Sequence, residues 1–319
     1  MVKKIIIFIT YLALMLGARW FWWDTFGTDE QPKVVQGTLD LRGHPMEDRH
    51  SLLLDGDWEF YPDRLISSSR QADEADQDRR MIHVPGDWSP AWQDKGGSSF
   101  GYGTYRLRIL VDEEPDEHYK LWIKEIKASS VVIVNGNIVG EAGKPAASAK
   151  EYIPVIQSFA KNAVPNEQNV IDIFVQSANY HDPTSGGIIE SMRFGTQAAI
   201  DFEWWYSIVF QVIVFTILLL HALYAGIMFL INPRQKLLLA FVFLLIFAGL
   251  TVVSDHEYVL MSWFPLNYTW MLKIRILSYL AVPFCMLLMG RGFTGQVRRG
   301  PVFLTYVVAS ALYWIFILA

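Results

Sequence analysis

The sequence predicts an exported all-β sandwich followed by an α-helical transmembrane bundle, and three observations lead there. Residues 206–231 carry no formally charged side chain. At ~1.5 Å per residue, that run crosses a hydrocarbon core of about 30 Å with some tilt. Residues 31–197 alternate short β-rich runs with Gly, Pro, Asn and Asp, as an antiparallel sandwich does and βαβ units do not. Finally, the 52% hydrophobic content is concentrated at the very start and after position 205, leaving a middle of ordinary globular polarity.

Charge and cysteine content narrow the function classes. A net charge of -5, with no clustering of Lys and Arg on one stretch, offers no electrostatic footprint for nucleic acid. The single cysteine, Cys285, falls in a late apolar run, so the exported part has neither a disulfide nor a Cys-based metal site. His44, His50, His83 and His118 lack metal-ligand spacing and read as surface or turn residues. No metal or cofactor is expected.

In chain order, residues 1–23 come first. Lys3 and Lys4 precede an apolar run that ends near Ala18, the pattern of a signal peptide. The apolar residues resume at Trp20, Phe21, Trp22 and Trp23, so an uncleaved signal anchor with an aromatic belt fits as well. Either reading exports the stretch that comes after it. Candidate strands are 51–54, 58–61, 103–111, 119–126, 131–134, 137–141, 170–176 and 189–194. Between two of them, Asn135 and Gly136 form the pair that accepts positive φ in a two-residue type I′ hairpin. Residues 67–80, SSSRQADEADQDRR, show no apolar period and read as a solvated loop.

A series of segments in this region carries a resemblance. GDWEFYP (56–62), VPGDWSPAW (84–92), GYGTYRLRILV (101–111), VVIVNGNIVGEAGK (131–144) and NVIDIFVQSANY (169–180) occur in this order. Together they resemble the sugar-binding jelly roll at the front of family 2 glycoside hydrolases, a galactose-binding-like sandwich. The resemblance implies that fold and a capacity to bind. It implies no hydrolysis, because in those enzymes the catalytic carboxylates belong to a separate barrel, for which this sequence has no residues.

The membrane part is read as 204–319, with spans at 206–231, 237–253, 269–290 and 301–319. Trp204, Trp205 and Tyr206 lead the first span into the headgroup layer, and Arg234 and Lys236 trail it. The loop between the second and third spans holds Asp255 and Glu257 and no basic residue, whereas the next holds Arg291, Arg298 and Arg299. This alternation places the sandwich outside the cell and makes the chain a multi-pass plasma-membrane protein. The last apolar run stops at Ala319 without a polar cap, as in a chain cut short.

An exported sandwich, a first span with the short basic turn NPRQK, and an outer loop ending SWFPLNY are similar to the bacterial seven-transmembrane receptors with diverse intracellular signalling modules. The resemblance implies three further spans and then an output domain such as a histidine kinase or a cyclic-dinucleotide enzyme, neither of which this sequence contains.

Several residues are candidates for chemistry. Trp88, Trp92, Tyr102 and Tyr105 either stack against a sugar ring or close the sandwich core. His181 and Asp182, in the loop NYHDPTSGG, either contact a ligand or build a turn. His221 lies near the middle of the first span, and Lys273 and Arg275 lie just inside the third. Ionisable groups at such depths point to coupling, or to cations snorkelling towards the outer interface, where Asp255 or Glu257 could pair with them.

The expected function is the sensory half of a membrane receptor that binds an extracytoplasmic small molecule or carbohydrate, with the lipid bilayer and a cytoplasmic signalling domain as its other partners. The alternative is a membrane-anchored carbohydrate-binding or scaffold protein without signalling output. No catalytic residue is assigned.

Overall fold

The computed structural model describes residues 2–26, 31–95, 97–113, 118–124, 126–155, 157–255, 259–264, 266–294 and 301–318. Helix α1 (Val2–Phe26) is followed by strands β1 (Thr38–Asp40), β2 (Leu52–Leu53) and β3 (Gly56–Pro62), then helix α2 (Ser69–Glu74) and strand β4 (Arg80–Val84). Next come β5 (Gly101–Leu110), β6 (Tyr119–Ile123), β7 (Ile126–Lys127), β8 (Ser129–Val134), β9 (Asn137–Ala142), β10 (Phe159–Ala163), β11 (Val170–Asn179), β12 (Gly187–Ile188) and β13 (Arg193–Thr196). Five helices close the chain: α3 (Gln197–Ile231), α4 (Lys236–Ser254), α5 (Val259–Trp263), α6 (Tyr268–Thr294) and α7 (Pro301–Leu318).

Among the described residues the strands form two main sheets over one core and a third, two-stranded sheet of β7 and β12. The larger runs β4-β3-β5-β11-β8-β9, with β1 parallel to the end of β5, and the smaller runs β10-β6-β13-β2. Alternation decides what each strand buries. In β5, Tyr105, Leu107 and Ile109 enter the core, where Trp58, Phe60 and Ile173 of the same sheet meet Leu121, Ile123, Phe159 and Phe194 of the other. At the β8–β9 hairpin, Asn135 and Gly136 have φ of 48° and 80°, the positive pair that a type I′ turn requires. The Asn135 amide also donates to the Val164 and Val170 carbonyls and accepts from the Asp172 amide, tying the turn to β11.

Two sequence expectations are corrected here. The stretch 67–80 is not a solvated loop: it holds α2 and a 3₁₀ turn at Asp76–Asp78. Its two alanines, Ala72 and Ala75, are three residues apart and pack on Tyr61, Ile66 and Phe174, so its charged residues face water on one side only. Under this cover Arg106, Asp172 and Glu59 are buried, with Arg106 donating two hydrogen bonds to Asp172 at 2.9 and 2.8 Å. The expected strand 189–194 is mostly a connection: residues 189–192 join Gly187–Ile188, which pairs with β7, to Arg193–Thr196, which pairs with β6 and, at Arg193 and Phe194, with β2, because the chain changes sheets between them.

Among the described residues, three helices are long and apolar enough to cross a membrane: Gln197–Ile231, Lys236–Ser254 and Thr269–Gly292. They contain the expected spans 206–231, 237–253 and 269–290. Helix α3 packs against α4, and α4 against α6. The α3–α4 contact is close because Ala222, Ala225 and Gly249 are buried in it, with Phe215 lying over Gly249. Within α7, the described apolar stretch Leu304–Ile315 is shorter than a crossing needs. The outer loop expected at 254–268 contains the short helix α5, whose Val259 and Leu260 are buried. Glu257, Arg298 and Arg299 lie outside the described residues.

Candidate functional site

The aromatic candidates divide by burial. Trp88 is 0% exposed and Trp92 4%, and they pack edge to face 6.1 Å apart, each with its centroid 6.0 Å from Phe60. Tyr105 is fully buried 4.7 Å from Phe60. Trp88 Nε1 donates to the Ser99 carbonyl. These rings close the core, and a sequestered ring has no face left for a sugar, so the stacking platform at Trp88 and Trp92 is withdrawn.

The loop after β11 explains how Trp88 is sealed. The Asn179 amide donates to the carbonyls of Ser99, Asp182 and Ser185, and its carbonyl accepts from the His181 and Asp182 amides. The loop is thereby folded back over the core, and at Gly186 an added Cβ would clash with Trp88 Nε1. Asp182 is buried inside this loop. It accepts from the Thr184 amide, which makes the turn reading correct, and it also takes a 2.7 Å hydrogen bond from buried Lys127. Burial alone would raise the Asp182 pKa, but the Lys127 ammonium and Thr184 outweigh it and hold the carboxyl below the usual range. A carboxylate engaged in this way builds the loop and is not offered to a ligand.

His181 remains exposed, its ring 5.5 Å from Tyr152, which in turn lies 5.3 Å from Tyr180. Tyr102 and Tyr180 are half-buried in a cluster that starts in the sandwich with Ala128, Tyr152 and Ala178 and continues into Val253, Val259, Leu260 and Met271. The edge of the sandwich bearing Tyr102 is thus turned towards the helices.

Sequence reasoning missed the residues that hold this junction. Strand β13 runs into α3 without a linker, and Thr196 both ends the strand and caps the helix, its hydroxyl accepting from the Ala199 amide. About two turns later, Glu203 accepts from the Ser51 amide at 2.9 Å, the Ser51 hydroxyl at 2.6 Å and Arg193 at 2.9 Å. Beside it, Lys120 donates to Asp201 at 2.6 Å. A signal was present: two carboxylates immediately before an aromatic belt need partners outside the membrane. The identity of those partners, up to 152 residues away in sequence, was not legible.

The membrane candidates are not brought to one place. His221 faces outward and shares a 2.7 Å hydrogen bond with the Ile217 carbonyl of its own helix. Lys273 lies 5.6 Å from the Trp270 ring centroid. Arg275 approaches Asp255 at 3.9 Å, and Tyr279 donates to the same carboxylate at 2.8 Å, so α4 and α6 are tied together at the C-terminal end of α4.

No family model matches this chain, and no curated protein matches it. Solved structures do. A GH2 beta-galacturonidase from Eisenbergiella tayi bound to galacturonate is 17% identical, with a TM-score of 0.31 over 49% of this chain and 26% of the enzyme. The beta-glucuronidase of Ruminococcus gnavus is 15% identical, with a TM-score of 0.36 over 46% of this chain and 28% of the enzyme. A family 2 glycosyl hydrolase from Bacteroides cellulosilyticus is 17% identical, with a TM-score of 0.35 over 46% of this chain and 20% of the enzyme. The chain thus spans between a fifth and under a third of the length of these proteins, which belong to the hydrolase family that the sandwich segments resemble. Likeness of this degree carries no argument, and the sandwich of two main sheets is read from the strand pairing itself.

Proposed function

We propose that the chain is the sensing and membrane-spanning part of a bacterial receptor. In this reading a galactose-binding-like jelly roll outside the cell takes a small molecule or carbohydrate. The helices then pass its state through the plasma membrane to a cytoplasmic output such as a histidine kinase or a cyclic-dinucleotide enzyme. The observation that supports the reading is the junction: strand β13 becomes helix α3 with no intervening linker, and Glu203 is fastened to both Ser51 and Arg193. A passive anchor needs only a tether, whereas a relay needs this stiffness, because a ligand shifts the bundle only if its affinity differs between two arrangements. On the sandwich, exposed His181 beside Tyr152 is the group a sugar would meet.

The test uses the chain in nanodiscs, with spin labels at positions 234 and 291 in a Cys285→Ser background and a panel of mono- and oligosaccharides screened by native mass spectrometry. The reading expects a bound sugar to shift the label-to-label distance, and His181→Ala to weaken binding. Sugar binding with an unshifted distance would instead identify an anchored carbohydrate-binding protein without relay.

A further inference from the structure

Below the Glu203 junction lies a cavity of about 560 Å³, within the range of small-molecule sites. Its floor is Phe210, Gln211 and Val214 of α3 with Val252 of α4, and its roof includes Trp122 and Arg193 of the sandwich. Tyr206 and Phe210, which line it, are 36% and 48% exposed, so the cavity opens at the surface of α3, where a molecule can enter from the side.

One lining group has no structural employment. Gln211 is 6% exposed, and neither its amide nitrogen nor its amide oxygen is hydrogen-bonded. An amide buried without partners at the edge of hydrocarbon is costly, and in such a place it marks a site. The charged groups around the same cavity are already engaged: Glu203 by Arg193 and Ser51, and Asp255 by Tyr279. We propose that the cavity binds a small neutral amphiphile, with its apolar body between Phe210, Val214 and Val252 and an uncharged head that both donates to and accepts from the Gln211 amide. A carboxamide or a hydroxyl has that chemistry. It can come from a neutral membrane lipid or from a diffusible lipophile. The site stands whether or not the sandwich relays a signal.

The probe is decanamide, titrated against the chain in phosphatidylcholine nanodiscs and read as bound mass by native mass spectrometry, with decane as the headless competitor. Saturable binding of decanamide is expected, and decane should not displace it at equal concentration. Gln211→Leu should weaken binding about tenfold, equivalent to ~1.4 kcal/mol, and Val214→Trp should abolish it by filling the space. Retention of a neutral lipid by the chain extracted from its host membrane, and its loss to decanamide, would assign the bilayer as source; no retained lipid would assign a diffusible ligand. Non-saturable uptake that is equal in the wild type and both variants would overturn the proposal. So would equal affinity for decane and decanamide in the wild type, a comparison that needs no variant to fold.

Discussion

Trp92 shows how burial decides between a binding role and a packing role for one side chain. At 4% exposure, among Phe60 and Trp88, it belongs to the core, and Trp92→Ala is expected to cost ~3–5 kcal/mol in chemical denaturation. An unchanged midpoint with lost sugar binding would restore the platform. Asp182 makes the same point with charge. Removing its partner by Lys127→Ala leaves a buried carboxylate uncompensated, a loss of ~3–5 kcal/mol at neutral pH. Because the folded-state pKa of Asp182 is depressed, the pair's contribution is present above the ordinary carboxylate pKa of about 4 and is lost as pH falls through the lower folded value. The gap in stability between wild type and variant should therefore narrow below about pH 4. A gap that widened there would rule out the ion pair as its cause.

At the scale of elements, the parts legible in the sequence were those whose signal is local. The hairpin at Asn135 and Gly136 needed only a residue pair that tolerates positive φ, and the structure has it. Substituting Gly136 with Val forces a β-branched residue to φ near 80°, with no neighbouring atom within 4 Å to blame, so ~1–2 kcal/mol of stability should be lost through backbone strain alone. Equal melting temperatures would show that the turn relaxes freely. The three long apolar helices were equally local, since their length and lack of charge sufficed. What escaped was decided by tertiary contact. Strand β10, Phe159–Ala163, has a sequence, FAKNA, with weak strand preference, and it is a strand because β6 lies beside it. Helix α2 and its C-cap have only Ala72 and Ala75 to bury, and the charged residues around them hid that face. Strand β4 sits at a sheet edge between charged neighbours, where its pairing with β3 supplies what its composition does not.

The whole molecule is a sandwich set directly on a bundle of helices. Helix α3 has 35 residues, about 52 Å at ~1.5 Å each, well past a ~30 Å hydrocarbon core. Its excess includes the N-terminal turns carrying Asp201 and Glu203, which the sandwich grips through Lys120, Ser51 and Arg193. From sequence the two modules were legible but the grip was not, because its partners come from strands far apart in the chain. A relay through the membrane depends on this junction being rigid. Hydrogen exchange of the amides at 197–205, measured on the chain in nanodiscs, tests it most directly. A rigid junction predicts slow exchange there, at rates matching the sandwich core, and marked acceleration in Glu203→Ala. Exchange within seconds in the wild type, at the rate of an unstructured tether, would contradict it.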